Sequence, residues 1–268
     1  MTRVITTLIG IPLLIFIIQF APDYVAIGLI FVCMLLALHE YFLMAVTQKQ
    51  WPLLFTGYVL ATAVVACFYF SALFSIFWLP AAPMLILIVA LFSRGELKER
   101  WDAAVFTLFG VWYVGGLMGY LVGIRRIDHG GKMGADLLML LLVIIWANDI
   151  FAYLVGRTLG RHKLAPVISP KKTVEGAIGG LLFGVLASYA SHWIFIPQIT
   201  AKDAVLMALL IGVLGQIGDL CESIVKRTAN VKDSGGIVPG HGGMLDRVDS
   251  LLFGAPAMYY YFYLVLTR

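Results

Sequence analysis

Apolar residues follow one another along this chain in long runs, and polar residues break them at only a few places. The first run covers residues 4–20, and a second begins after only Ala21-Pro22-Asp23 and reaches about residue 46. Runs over 53–70 and 74–92 come next, divided near Ser71. A fifth spans about 102–124, a sixth starts at Ala135, a seventh covers about 174–196, an eighth starts at Asp203, and a ninth covers about 251–266. About 20 apolar residues cross a bilayer as a helix, so the pattern predicts an all-α, polytopic integral membrane protein of about nine transmembrane helices. The first run lacks a small-residue cleavage site, which predicts a retained span, not a removed signal peptide. One continuous membrane domain is expected. In it residues 1–100 form scaffold helices and residues 101–268 carry the polar chemistry.

Composition sharpens this reading. Hydrophobic residues make up 61% of the chain and charged ones 13%, about half the charged share of a soluble domain. A net charge of +4, spread through loops, speaks for membrane orientation and against nucleic-acid binding. With nine spans and a cytoplasmic N-terminus, 14 of the 19 Lys and Arg residues fall on the cytoplasmic side. The discordant segment is Arg125, Arg126 and Lys132. Cys33, Cys67 and Cys221 lie scattered in apolar runs and suggest neither a disulfide framework nor a zinc site. Gly115, Gly119 and Gly123 repeat at spacing four, as do Gly176, Gly180 and Gly184; both stripes predict close helix contact. His39 and Glu40, near the end of the second run, are expected to be a helix-end pair at the interface.

The chemistry concentrates near the end. The chain has 15 carboxylates, and Asp219, Glu222, Asp233, Asp246 and Asp249 fall within one short stretch, interleaved with Lys226, Arg227, Lys232 and Arg247. Ionisable groups at membrane depth are costly and usually mark a pathway or a reactive site. Asp219, Glu222, Ser223, Lys226 and Arg227 share one helix face. Beyond Asn230 the glycine-rich segment 234–243 cannot stay helical, and Asp246, Asp249 and Ser250 then open the last helix. Two helix ends joined by this loop can bring Asp219 and Asp246 together, a pair suited to Mg2+. Backbone N–H groups beside Gly242 and Gly243 would favour an anion.

A second polar block lies upstream. Asp149, Tyr153, Gly156 and Arg157 share one side of the sixth span. They lead into Arg161, His162 and Lys163, then Ser169-Pro170-Lys171-Lys172-Thr173-Val174-Glu175-Gly176. Ser169-Pro170 reads as a helix start, which would set Lys171 and Lys172 beside free N–H groups that suit phosphate. No Walker or dinucleotide motif is present, so a nucleotide site would have to be built from these loops.

Ser223-x-x-Lys226-Arg227-x4-Lys232-Asp233-x-Gly235, followed by Pro239-x-His241-Gly242-Gly243-x-x-Asp246-Arg247-x-Asp249, resembles the signature of the phosphatidate cytidylyltransferases (CDP-diacylglycerol synthases). The upstream Ser-Pro-Lys-Lys-Thr-x-Glu-Gly run and the Asp-bearing span end resemble that family too. Val238, before the proline, departs from the expected Leu, Ile or Phe but keeps the apolar character. The resemblance implies transfer of CMP from CTP to phosphatidate, with release of pyrophosphate, in phospholipid biosynthesis. It implies Asp219, Asp246, Lys226 and Arg247 as catalytic residues, and Mg2+ on Asp219 and Asp246, with Asp249 and a second cation as an extension. Lys171, Lys172, Arg227, Lys232 and His241 would contact phosphates. Ser223, Asp233, Gly242, Gly243, Asp149, Tyr153 and Arg157 would complete the substrate site. CTP, phosphatidate and the bilayer are the implied partners, with room for a homodimer. The site would face the cytoplasm, from the plasma membrane if the source is bacterial. Two other classes stay open: a CTP-dependent polyprenol or phytol kinase, and an ion or solute transporter with buried carboxylates.

Overall fold

A computed structural model describes residues 2–45, 50–70, 72–127, 132–237 and 242–267. Helices α1 (Thr2–Phe20), α2 (Asp23–Ala45), α3 (Trp51–Phe70) and α4 (Ala72–Phe92) form the first half. Helix α5 (Leu97–Gly110) continues through a π-helical turn, Val111–Gly116, into α6 (Leu117–Arg125) as one rod. Then come α7 (Met133–Thr158), a hairpin of β1 (Lys163–Ala165) and β2 (Ser169–Thr173), α8 (Val174–Ile194), α9 (Ala201–Thr228), and α10 (Leu245–Tyr261), which runs into a second π-turn, Phe262–Leu266. Among the described residues, six helices are long and apolar enough to cross a membrane, against the nine spans expected. Large apolar side chains face outward all round, Phe20, Phe92 and Trp193 among them, as they would against lipid. The chain is a multi-pass helical membrane protein.

Three helices near the site, α7, α8 and α9, are locked by polar bonds as well as by shape. Asn148 on α7 is buried; its Nδ2 donates to the Gly212 carbonyl of α9 at 3.0 Å. Its Oδ1 accepts from Gln216 Nε2 at 2.8 Å, and Gln216 also donates to the Ala177 carbonyl of α8 at 3.0 Å. This close approach depends on the second glycine stripe: a Cβ on Gly180 would stand 2.2 Å from Asn148 Oδ1. The first stripe also packs within the chain, Gly115 on Ala61 and Gly119 on Phe68. Away from the site, at the start of α7, Arg125 ties α6 to the α1–α2 turn through Asp23 (2.9 Å) and the Ala21 carbonyl (3.2 Å).

One local expectation fails. Ser169-Pro170 does not start a helix; residues 169–173 form strand β2, antiparallel to β1 with Lys163 opposite Thr173 and Ala165 opposite Ser169. The turn after β1 contains Pro166, and the helix begins only after Thr173, whose hydroxyl caps it by accepting from Gly176 N at 3.2 Å. Glu175 fastens the hairpin base, accepting from the Arg161 and His162 backbone N–H groups at 3.0 and 3.2 Å and pairing with His162 Nδ1 at 2.5 Å. Pairing across the hairpin, with a better cap four residues on, outweighs the local Ser-Pro signal.

Gly180→Ala is expected to push α8 off α7 and cost about 1–3 kcal/mol, the usual penalty of overpacking. The check is a lowered unfolding temperature in detergent; an unchanged one shows that the helices can part without loss.

Candidate active site

Helix α9 delivers its charges inward because their spacing keeps them on one face. Glu222 is completely buried, and Ser223 and Lys226 nearly so, while Arg227 turns outward. The helix ends where Asn230 takes a left-handed conformation (φ 57°), a common way to stop a helix. The loop that follows returns the chain antiparallel as α10, and the register between the two helices decides which acids meet.

Asp246 lies level with Lys226, whose ammonium pairs with Asp246 Oδ1 at 2.6 Å and with Glu222 Oε2 on its own helix. The other oxygen of Asp246 accepts from Ser234 N and Gly243 N, each at 3.0 Å, and lies 3.0 Å from Ser234 Oγ. Both oxygens of Asp246 are therefore engaged. About one turn along α10, Asp249 meets the Gly218–Asp219 end of the cluster; a Cβ on Gly218 would stand 2.7 Å from the Asp249 carbonyl. Asp219, Glu222 and Asp249 each bring one carboxylate oxygen within 4.8 Å of the others. The converging acids are thus Asp219, Glu222 and Asp249, while Asp246 is held by Lys226. Oxygens so grouped suit a hard divalent cation, and Glu222 Oε1 is buried with no hydrogen-bond partner among the described residues.

Other elements close on this centre. Lys172 of β2 pairs with Asp219 Oδ2 at 2.5 Å, so the two polar blocks meet at one place. Arg227 reaches the same hairpin, at the Ile168 carbonyl (3.4 Å), and the Val231 carbonyl (2.9 Å). Asp149 on α7 lies within electrostatic reach of Asp219, Lys172 and Arg247. The π-turn sets Tyr113 near Glu222 and Asp249, its hydroxyl buried and without a partner among the described residues.

Several expected site residues lie at the margin. Lys171, Lys232, Asp233 and Arg247 are exposed. Tyr153 and Arg157 are exposed on α7, bonded to each other at 3.2 Å. Gly242 has φ +81°, a conformation that side chains rarely adopt. Gly243 is packed shut: a Cβ there would stand 1.9 Å from Ser234 Oγ. These glycines close the loop on Asp246. His241 and Val238 lie outside the described residues. No sequence pattern marks Glu222 as a ligand, or Tyr113, Ser234 and above all Glu40 as neighbours of the site. The last is no interface residue: it is 1% exposed and bonded to the active-site loop. Only its neighbour His39 keeps an exposed contact, Nδ1 to Tyr58 OH at 2.8 Å.

A family model described as the cytidylyltransferase family matches residues 1–265. The chain is similar to the phosphatidate cytidylyltransferase of Synechocystis sp., with 36% identity over 98% of this chain and 97% of that one. It is also similar to the phosphatidate cytidylyltransferase of Bacillus subtilis, at 41% identity over 59% of this chain and 58% of the relative. The enzyme of the same name from Staphylococcus epidermidis is 39% identical over 58% of this chain and 57% of its own length. The matched stretch thus spans under two thirds of the Bacillus and Staphylococcus proteins and nearly all of the Synechocystis one.

Lys226→Met should strand Glu222 without its cation and cost about 3–5 kcal/mol, as breaking a buried pair does. Adding Glu222→Gln should return part of that loss in a thermal unfolding assay. A double variant as unstable as the single one would show that Lys226 stabilises by other contacts.

Proposed function

The chain belongs to the cytidylyltransferase family, and from that membership we propose that it transfers CMP from CTP to phosphatidate, forming CDP-diacylglycerol and pyrophosphate. The observation that carries the reading is the contact of Lys172 with Asp219, which joins both halves of the family pattern in one site. An oxygen of the lipid phosphate attacks the α-phosphorus of CTP, a new P–O bond forms, and the α–β bridge breaks to release pyrophosphate. A phosphate monoester is largely ionised near neutral pH, so the attacking oxygen needs no general base, and a phosphate contact is the better role for His241.

Both reactants are anions, and the acids at the centre would repel them unless charge is balanced. Asp219, Glu222 and Asp249 would hold Mg2+, which would neutralise oxygens of the triphosphate and of the departing pyrophosphate. Asp246 then serves by holding Lys226 and the loop. Lys172, Lys171, Arg227, Lys232 and Arg247 are cations that can take phosphate oxygens. The excess of Lys and Arg in loops on the active-site side supports a site facing the cytoplasm, where CTP is. Each chain carries the full set of residues, so a homodimer would hold two sites.

The test is purified protein with CTP labelled at the α-phosphate, Mg2+ and short-chain phosphatidate. Label on the lipid with release of pyrophosphate is expected, and chelation of the metal should abolish it. Label transferred only from the γ-phosphate would identify a kinase and overturn the reading. Asp219→Asn should lower turnover by about 100-fold or more, the scale of losing a preorganised electrostatic group. Near-normal turnover in that variant would remove Asp219 from the site.

A further inference from the structure

Helix α10 starts without a cap of its own. Its N-cap residue, Met244, offers no side-chain hydrogen bond to the first turn, although the first N–H groups of a helix need partners. Leu245 N finds one on a helix far away in sequence: it donates to Glu40 Oε2 of α2 at 2.9 Å. The same oxygen lies 2.9 Å from Ser234 Oγ. Ser234 follows α9 and Leu245 begins α10, so a single carboxylate holds both limbs of the active-site loop.

Both donors meet the Oε2 oxygen of this carboxylate, and Oε1 is buried with no hydrogen-bond partner among the described residues. Glu40 is 1% exposed, a costly place for an acid unless donors meet it. A negative group at a helix start is also favoured by the helix dipole. Two loop glycines make room for it: a Cβ on Gly235 would stand 2.5 Å from Glu40 Oε1, and one on Gly243 would stand 2.5 Å from Oε2. The next residue after Leu245 is Asp246, which holds Lys226 at 2.6 Å and through it Glu222. Displacement of Leu245 would therefore move the ion-pair centre.

We infer that Glu40 is a positioning residue for the transfer reaction, an external cap that sets the active-site loop and the start of α10. It acts through Leu245, Ser234 and Asp246 without touching substrate. The kinetic part of this inference rests on the CMP-transfer reading above; the structural part does not.

The experiment compares Glu40→Ala and Glu40→Gln with the wild type in CMP transfer and in hydrogen exchange of the amides at Ser234, Gly243 and Leu245. Glu40→Ala is expected to lower kcat by about 100-fold, the scale of a small misplacement of reacting groups, with KM values changed less than about threefold. The three amides should lose protection. Glu40→Gln keeps an acceptor oxygen for Leu245 N and Ser234 Oγ. It should restore the protection and bring kcat to within about tenfold of the wild type. If Glu40→Gln folds with its loop protected yet is as inactive as Glu40→Ala, the charge acts directly and the positioning role is wrong. Unchanged kcat and protection in Glu40→Ala would also overturn it. A wild type that transfers no CMP would sink the functional reading instead, while the exchange comparison would still judge Glu40.

Discussion

One cation with two acids carries the interior of this protein. The Lys226 ammonium sits between Glu222 on its own helix and Asp246 on the next, almost out of reach of water. In such surroundings an unpaired charge costs several kcal/mol, so α9 and α10 cannot slide or part without exposing one. The pair thereby sets the register of the two helices, in which Asp249 joins Asp219 and Glu222 while Asp246 holds Lys226. Close packing of α7, α8 and α9, with Asn148 bonded across them, keeps that corner rigid.

The site is assembled from parts with unequal exposure. Acids stand on helices held by packing and by buried hydrogen bonds. Of the flanking cations, Lys171 and Lys172 stand on the hairpin, Lys232 on the loop, and Arg227 and Arg247 at the facing ends of α9 and α10. A buried negative centre with positive groups around it suits a reaction between two anions at a bilayer surface. The hairpin is not free, however. Glu175 bonds its base, and Thr173 both ends β2 and caps α8, so Lys172 arrives beside Asp219 from a defined direction.

Much of this was legible in the residues alone. Apolar runs of span length established a helical membrane protein, because about 20 consecutive apolar residues cross lipid as a helix that satisfies its own backbone hydrogen bonds. The i, i+3, i+4 spacing of Asp219, Glu222, Ser223 and Lys226 put them on one face, and Asn230 with the glycines after it ended the helix as expected. The glycine stripes foretold tight contacts, and those contacts lie within the chain. Periodicity reports which side of a helix is polar, since that depends only on neighbours along the chain.

What faces that side is a matter of through-space neighbours, and there only the tertiary structure decided. Glu40 reads as an interfacial residue near the end of α2, because nothing within ten residues signals a helix start near residue 245 waiting for an acceptor. Ser169-Pro170 carries a good local helix-start signal, yet pairing with residues 163–165 makes it a strand. Asp246 and Asp249 are equivalent in composition and adjacent in turn; the position of Lys226 alone separates them, one as its partner and the other as a member of the acidic trio. Local rules fix each segment's shape and polar face. The choice among partners follows from burial and charge balance, which exist only once the helices have packed.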